Sequence, residues 1–254
     1  MNQPSLEELL EAGAHFGHQV AKWHPRMKPY IYTERNTVHI IDLQQTQDKL
    51  KAAQEYVAGL VGNGGTVLFI GTKRQAQKAI KSVAGQVEMP YVNERWLGGT
   101  FTNFDTIKKQ IAKLKELERK RDSGELDKYT KKEQVTFDKE IDRLSRFFGG
   151  LRSLNKLPEA IFVIDINEES SAVKEARRKG VKIVAVCDTN VDPGLVDYCI
   201  PCNDDAVKVI DLLIEAMGEA VAEGKKKVAA TKQAQAEGKD IAKPEAEKIS
   251  KESK

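Results

Sequence analysis

The residues best suited to chemistry are cations set beside rings and glycines. Lys22, Trp23, His24, Arg26 and Lys28, followed by Tyr30 and Tyr32, interleave positive charge with aromatic faces. That alternation suits a phosphate backbone plus stacked or edge-contacted bases, above all in folded RNA. A second cluster, Gly71-Thr72-Lys73-Arg74 with Lys78 and Lys81, has no acid among residues 71–81. It falls at a strand-to-helix turn, where doubly wound sheets place phosphate ligands. The third is Arg95-Trp96-Leu97-Gly98-Gly99-Thr100-Phe101-Thr102-Asn103. Its Gly pair adds entropic cost and nothing to pack, so the run reads as an exposed or half-exposed loop kept for contact, with Arg95, Trp96, Thr100 and Asn103 as candidates.

Other groupings carry less. Neither a G-x-x-x-x-G-K-[ST] loop nor a G-x-G-x-x-G turn is present, which disfavours a nucleotide pocket. His15, His18, His24 and His39 lack partners at zinc spacing and read as packing or hydrogen-bonding groups. Cys199-Ile200-Pro201-Cys202 lies beside a strand rather than at the start of an early helix, which favours structural cysteines over a redox pair. Asp188-Thr189-Asn190-Val191-Asp192-Pro193 and Asn203-Asp204-Asp205 gather carboxylates at strand ends, either as turns and caps or around a metal. No nucleophile, base and oxyanion donor assemble around them, so no catalysis and no cofactor is expected. A weak Mg²⁺ site at Asp188, Asp204 and Asp205 stays open.

These residues need elements to hold them. Ser5 and Glu8 have capping-box spacing before Leu6, Leu9 and Leu10, predicting a first helix. Residues 18–30, with two prolines, read as an ordered loop, Val38–Asp42 as a short strand and Thr46–Val61 as a helix. Apolar runs at 66–70, 160–165, 182–188 and 198–200 alternate with helical segments from after Arg74 to about Ala84, at 170–179 and at 204–221. Strands apolar on both faces, alternating with helices, argue for an α/β fold with a parallel sheet covered on both sides. Between Phe104 and Leu151 a narrow apolar stripe with charged flanks predicts an inserted coiled-coil hairpin, on which Lys108 and Lys109 are further candidate contacts. The expected organisation is a discontinuous α/β domain (1–103 and 152–223), the hairpin (104–151) and a disordered or weakly helical charged tail (224–254).

Composition sets outer bounds. The 254 residues include 41 Lys+Arg and 38 Asp+Glu, so net charge is only +3 and the case for a polyanion partner rests on where cations sit. Three cysteines and the lack of a long apolar run or a signal-like start predict a soluble, cytosolic protein with no membrane contact.

Several of these motifs resemble, in one order, the S-two family of bacterial small-ribosomal-subunit proteins. They are Leu6 to His18, Asn36 to Leu43, Phe69 to Arg74, Arg95 to Gly99, Pro158 to Asp165 with Lys174-Glu175 and Gly180-Val181, Asp188 to Asn190, Asp192-Pro193, Ile200-Pro201 and Asn203 to Ala206. The resemblance covers about residues 5–223. It implies a flavodoxin- or Rossmann-like α/β domain with an inserted coiled-coil hairpin, in a structural, non-enzymatic protein bound to small-subunit rRNA near the head–body junction. It also implies neighbouring small-subunit proteins, including the mRNA-binding protein S-one, as partners, and no small-molecule substrate. Nothing is carried onto Cys199 and Cys202. The competing readings are a nucleotide-binding α/β enzyme and a protein-interaction adaptor working through the hairpin.

Overall fold

Local chemistry sets the first element. In the computed structural model, which describes residues 3–241, helix α1 (Leu6–Ala12) opens on a complete capping box. Ser5 Oγ accepts from Glu8 N at 3.1 Å and Glu8 Oε2 from Ser5 N at 2.7 Å. A three-stranded antiparallel sheet follows: β1 (Phe16–Gln19), β2 (Ile31–Arg35) and β3 (Val38–Ile41), in the order β1-β3-β2. Only the last of these strands is expected from the sequence. β2 is almost wholly exposed and leaves no apolar alternation to read, because ladder hydrogen bonds rather than burial hold it. Its turn to β3 uses Asn36 and Thr37, both at positive φ (52° and 63°), as a two-residue hairpin of that type requires. Between β1 and β2, two short 3₁₀ turns, Val20–Lys22 and Pro25–Tyr30, occupy the expected loop.

After α2 (Leu43–Gly62) come β4 (Val67–Ile70), α3 (Gln77–Gln86), β5 (Tyr91–Val92), α4 (Phe104–Asp122), α5 (Lys131–Phe148), β6 (Ala160–Ile164), α6 (Ser170–Lys179), β7 (Lys182–Cys187), β8 (Tyr198–Pro201) and α7 (Val207–Ile241). The five later strands form a parallel sheet ordered β5-β4-β6-β7-β8, the doubly wound arrangement whose order reverses beside β4. Successive side chains split between two cores. Phe69, Phe162, Val184 and Ile200 pack with α2, α3 and α7; Leu68, Ile161, Ile183 and Ala185 pack with α4, α5 and α6.

Helices α4 and α5 pair through Ile107, Ile111, Leu114, Ile141, Leu144 and Phe148, all buried in the second core. Lys113 Nζ meets Glu140 Oε1 across the pair at 2.8 Å. The pair abuts the sheet at Gly150, where an added Cβ would stand 2.2 Å from the Tyr91 carbonyl. α7 runs to Ile241, well past the Val221 end expected for the final helix, and takes in the first part of the expected tail. Gly224 lets it cross α2 closely, since a Cβ there would lie 2.7 Å from Ala58 O. Residues 242–254 of that expected tail lie outside the described residues.

Candidate nucleic-acid interface

The carboxyl edge of the sheet, where α/β enzymes bind ligands, is filled by the chain's own charges. Lys73 follows β4 but turns inward. Its Nζ lies 2.9 Å from Asp165, 2.6 Å from Asp204 and 2.7 Å from Asp205. Burial works against the ammonium, yet these carboxylates hold its pKa above the usual lysine value. Asp204, completely buried, is pushed up to about 7 by burial and then by Asp165 and Asp188. Both partners shift upward because Lys73 gains from several carboxylates while Asp204 answers to burial and like charge. Asp204 Oδ2 is buried without a hydrogen-bond partner, as suits an acid that readily takes a proton.

Neighbouring donors are spent in the same way. Thr72 N–H donates to Glu169 Oε1 at 2.7 Å, and burial raises the Glu169 pKa. His18 Nδ1 stands 3.0 Å from Asp188, whose hydrogen bond raises the imidazole pKa. The ammonium of Lys73 and the amide of Thr72 are therefore engaged internally at the order-reversal point. Asp204 and Asp205 turn to Lys73 and Asp188 to His18 and Thr189, so the three carboxylates considered for Mg²⁺ serve protein groups. Among the described residues, no group of three or more His, Cys, Asp or Glu is placed to hold a metal. The cysteines are free and buried; burial raises the Cys187 and Cys202 thiol pKa values.

The Arg95–Asn103 junction is less exposed than its glycines suggest. Trp96 is 8% exposed, Thr100 2% and Phe101 0%, with the indole edge-on to the Phe101 ring. One carboxylate organises the loop. Glu175 accepts from Trp96 Nε1 (3.2 Å), Gly99 N (2.7 Å), Phe101 N and Thr102 N (both 2.9 Å) and Thr102 Oγ1 (3.1 Å). Burial raises its pKa but these donors outweigh that, leaving it lowered. The Gly pair thus gives the backbone freedom to wrap a carboxylate, with Gly99 at φ 91°.

Three of the contact candidates expected from the sequence are engaged within the chain. Lys73 is neutralised by acids, and Trp96 and Thr100 are turned into the core. Arg95 and Asn103 remain exposed, as do Arg74 and Lys78 on the turn and first residues of α3. Asn93 Nδ2 donates to Gln77 O at 3.4 Å, so the start of α3 adjoins the approach to Arg95. On α4, Lys109 is exposed and Lys108 Nζ lies 5.1 Å from the Phe104 ring centre. In the first loop Lys22, Arg26 and Lys28 are exposed. Trp23 and His24 are half-buried, the indole packing 5.2 Å from the His39 ring. This loop is pinned to the segment after β7 by His24 N to Thr189 O (2.8 Å) and by Arg26 to Asp192 (2.7 Å).

With that geometry in place, comparison with known families is decisive: the model of Ribosomal protein S2 matches residues 9–224. The chain belongs to the ribosomal protein S2 family. It is accordingly a structural protein of the small ribosomal subunit, acting in translation, in a family that is not enzymatic. The roles of Glu169 and Glu175 in this S2 protein escape a motif-led reading, although Glu175 falls within one of the motifs that carry the resemblance. Glu175 stands as the lone acid of α6 among four cations, and that isolation is the signal by which it could be found.

Proposed function

We propose that this S2-family chain binds small-subunit rRNA through its exposed, partnerless cations, with the α/β body as platform. One observation supports this most. The pocket edge has its cation and its amide engaged internally, whereas Lys22, Lys28, Arg74, Lys78, Arg95 and Lys109 reach solvent with no carboxylate partner among the described residues. Phosphate neutralisation by such side chains gives affinity, while Arg26, His24, Trp23, Asn103 and Lys108 help fix register on folded RNA.

The same reading places the chain on the cytoplasmic ribosome near the head–body junction, with α4 and α5 as an inserted coiled-coil hairpin contacting RNA or a protein neighbour. It also has the chain supporting the docking of protein S-one. Exposed Leu6 and Leu10 on α1 and Tyr32 on β2 line one groove with Ile40 and Leu43, an apolar surface that suits a protein neighbour better than a polyanion. The test is binding of purified chain to a small-subunit rRNA transcript, with calorimetry against ATP, GTP and NAD. Salt-sensitive RNA binding without nucleotide binding is expected; micromolar nucleotide affinity with no RNA binding would overturn the reading.

A further inference from the structure

Helix α6 carries a charge distribution that the contacts above do not use. Lys174, Arg177, Arg178 and Lys179 are all exposed, and the helix has one carboxylate, Glu175. Both Glu175 oxygens are turned to the 96–102 loop, so the only acid of the helix is withdrawn from its cations. Lys174, Arg178 and Lys179 have no ion-pair partner among the described residues, and Arg177 donates to the carbonyl of Gly194 at 3.2 Å. The next cation along, Lys182, is by contrast neutralised by Asp197 at 2.6 Å.

Lys174 lies three residues from Arg177 and four from Arg178, spacings at which like charges repel on a helix. The helix dipole favours cations in the last turn, but it does not account for Lys174 or for the removal of the one acid. One further cation, unpaired among the described residues, adjoins the helix: Arg95 precedes Trp96, whose indole N–H meets Glu175. Arg26, near Gly194 whose carbonyl Arg177 holds, is paired with Asp192 at 2.7 Å. The apolar residues of α6, Ala172, Val173 and Ala176, are buried, so its outer surface offers charge without an apolar centre. Protein interfaces ordinarily have such a centre; a phosphodiester backbone does not require one.

We infer that the outer surface of α6 is an additional contact for the RNA backbone, with Lys174, Arg178 and Lys179 meeting phosphates and Arg95 extending the track. This rests on the rRNA-binding reading above. The test uses full-length chain carrying Lys174→Gln, Arg178→Gln and Lys179→Gln, with Arg178→Gln alone as a milder variant. Affinity for a small-subunit rRNA transcript is measured across a salt series. Each lost phosphate contact lowers the slope of log affinity against log salt by roughly 0.7–0.9. The triple variant should therefore lose about two units of slope and at least roughly tenfold in affinity at low salt, with unchanged melting. Wild-type affinity and slope in both variants, while wild-type chain binds RNA, would overturn the α6 contact alone. Absence of RNA binding by the wild-type chain would instead remove the reading on which it rests.

Discussion

Replacing Glu175 with Ala tests whether a carboxylate builds the junction loop. The substitution removes the acceptor of five hydrogen bonds, from Trp96 Nε1, Gly99 N, Phe101 N, Thr102 N and Thr102 Oγ1. Hydrogen bonds to a charged group are worth about 1.5–3 kcal/mol each, but they share one acceptor and do not add. Glu175 is also only partly buried, so water takes over some donors in the variant. The expected loss is about 2–4 kcal/mol, or roughly 4–16 °C in melting temperature for a chain of this size. Glu175→Gln, which keeps one oxygen, should fall between wild type and Ala. The pH dependence follows from the lowered pKa. The stabilisation is present above the ordinary carboxylate value of 4.5 and is lost as pH falls through the folded-state value, so wild type and Glu175→Gln should converge in acid. Calorimetric melts from pH 7 to pH 3 provide the assay. Melting of the Ala variant within about a degree of wild type at pH 7 would rule out this role for Glu175.

Three further outcomes are expected. Lys73→Met leaves Asp165, Asp204 and Asp205 without their cation and should cost about 3–5 kcal/mol near neutral pH. The Asp204 pKa stands at about 7 with the cation in place, and Lys73 lowers it; removing Lys73 moves proton uptake above that value, so part of the deficit should return as pH falls toward 7, and melts showing no such recovery would count against the cage. Gly150→Ala drives a Cβ into the Tyr91 carbonyl and should lower stability by about 1–3 kcal/mol, read by thermal melting; an unchanged melt would mean that the junction gives freely. Arg74→Ala and Arg95→Ala should each leave melting within about 0.5 kcal/mol of wild type while weakening RNA binding in filter assays. The reverse pattern would make them structural side chains.

How much of the fold and interface is legible in the sequence follows from the range of each interaction. The inner strands are readable because both their faces are buried, so Ala160–Ile164 and Lys182–Cys187 show apolar runs that need no partner to be recognised. The capping boxes Ser5–Glu8 and Thr130–Glu133 are readable because both halves lie within one turn. β2 is hidden by its exposure, and α3 starts two residues later than its pattern predicts because the turn continues through Gln75 and Ala76, the latter packed in the core. At the interface the cations are visible and their fates are not. Lys73 looks unopposed within 71–81, yet its acids Asp204 and Asp205 lie 131 and 132 residues away. Trp96 is joined to Glu175 across 79 residues. Local pattern identifies side chains able to hold phosphate; only tertiary pairing tells which are already holding something else.

The proposed grip of exposed cations on ribosomal RNA, beside a ligand edge closed by its own ion pairs, should leave a signature in the cell extract. It can be read by sedimenting a gently prepared lysate and then crosslinking RNA to the particle-bound chain. The expected result is co-migration with small subunits at moderate salt, release at high salt, and RNA adducts on the segments bearing Lys28, Lys78 and Arg95. A chain migrating free of ribosomal particles, or bound to them with no RNA adduct on any of these segments, would mean that these cations do not hold RNA.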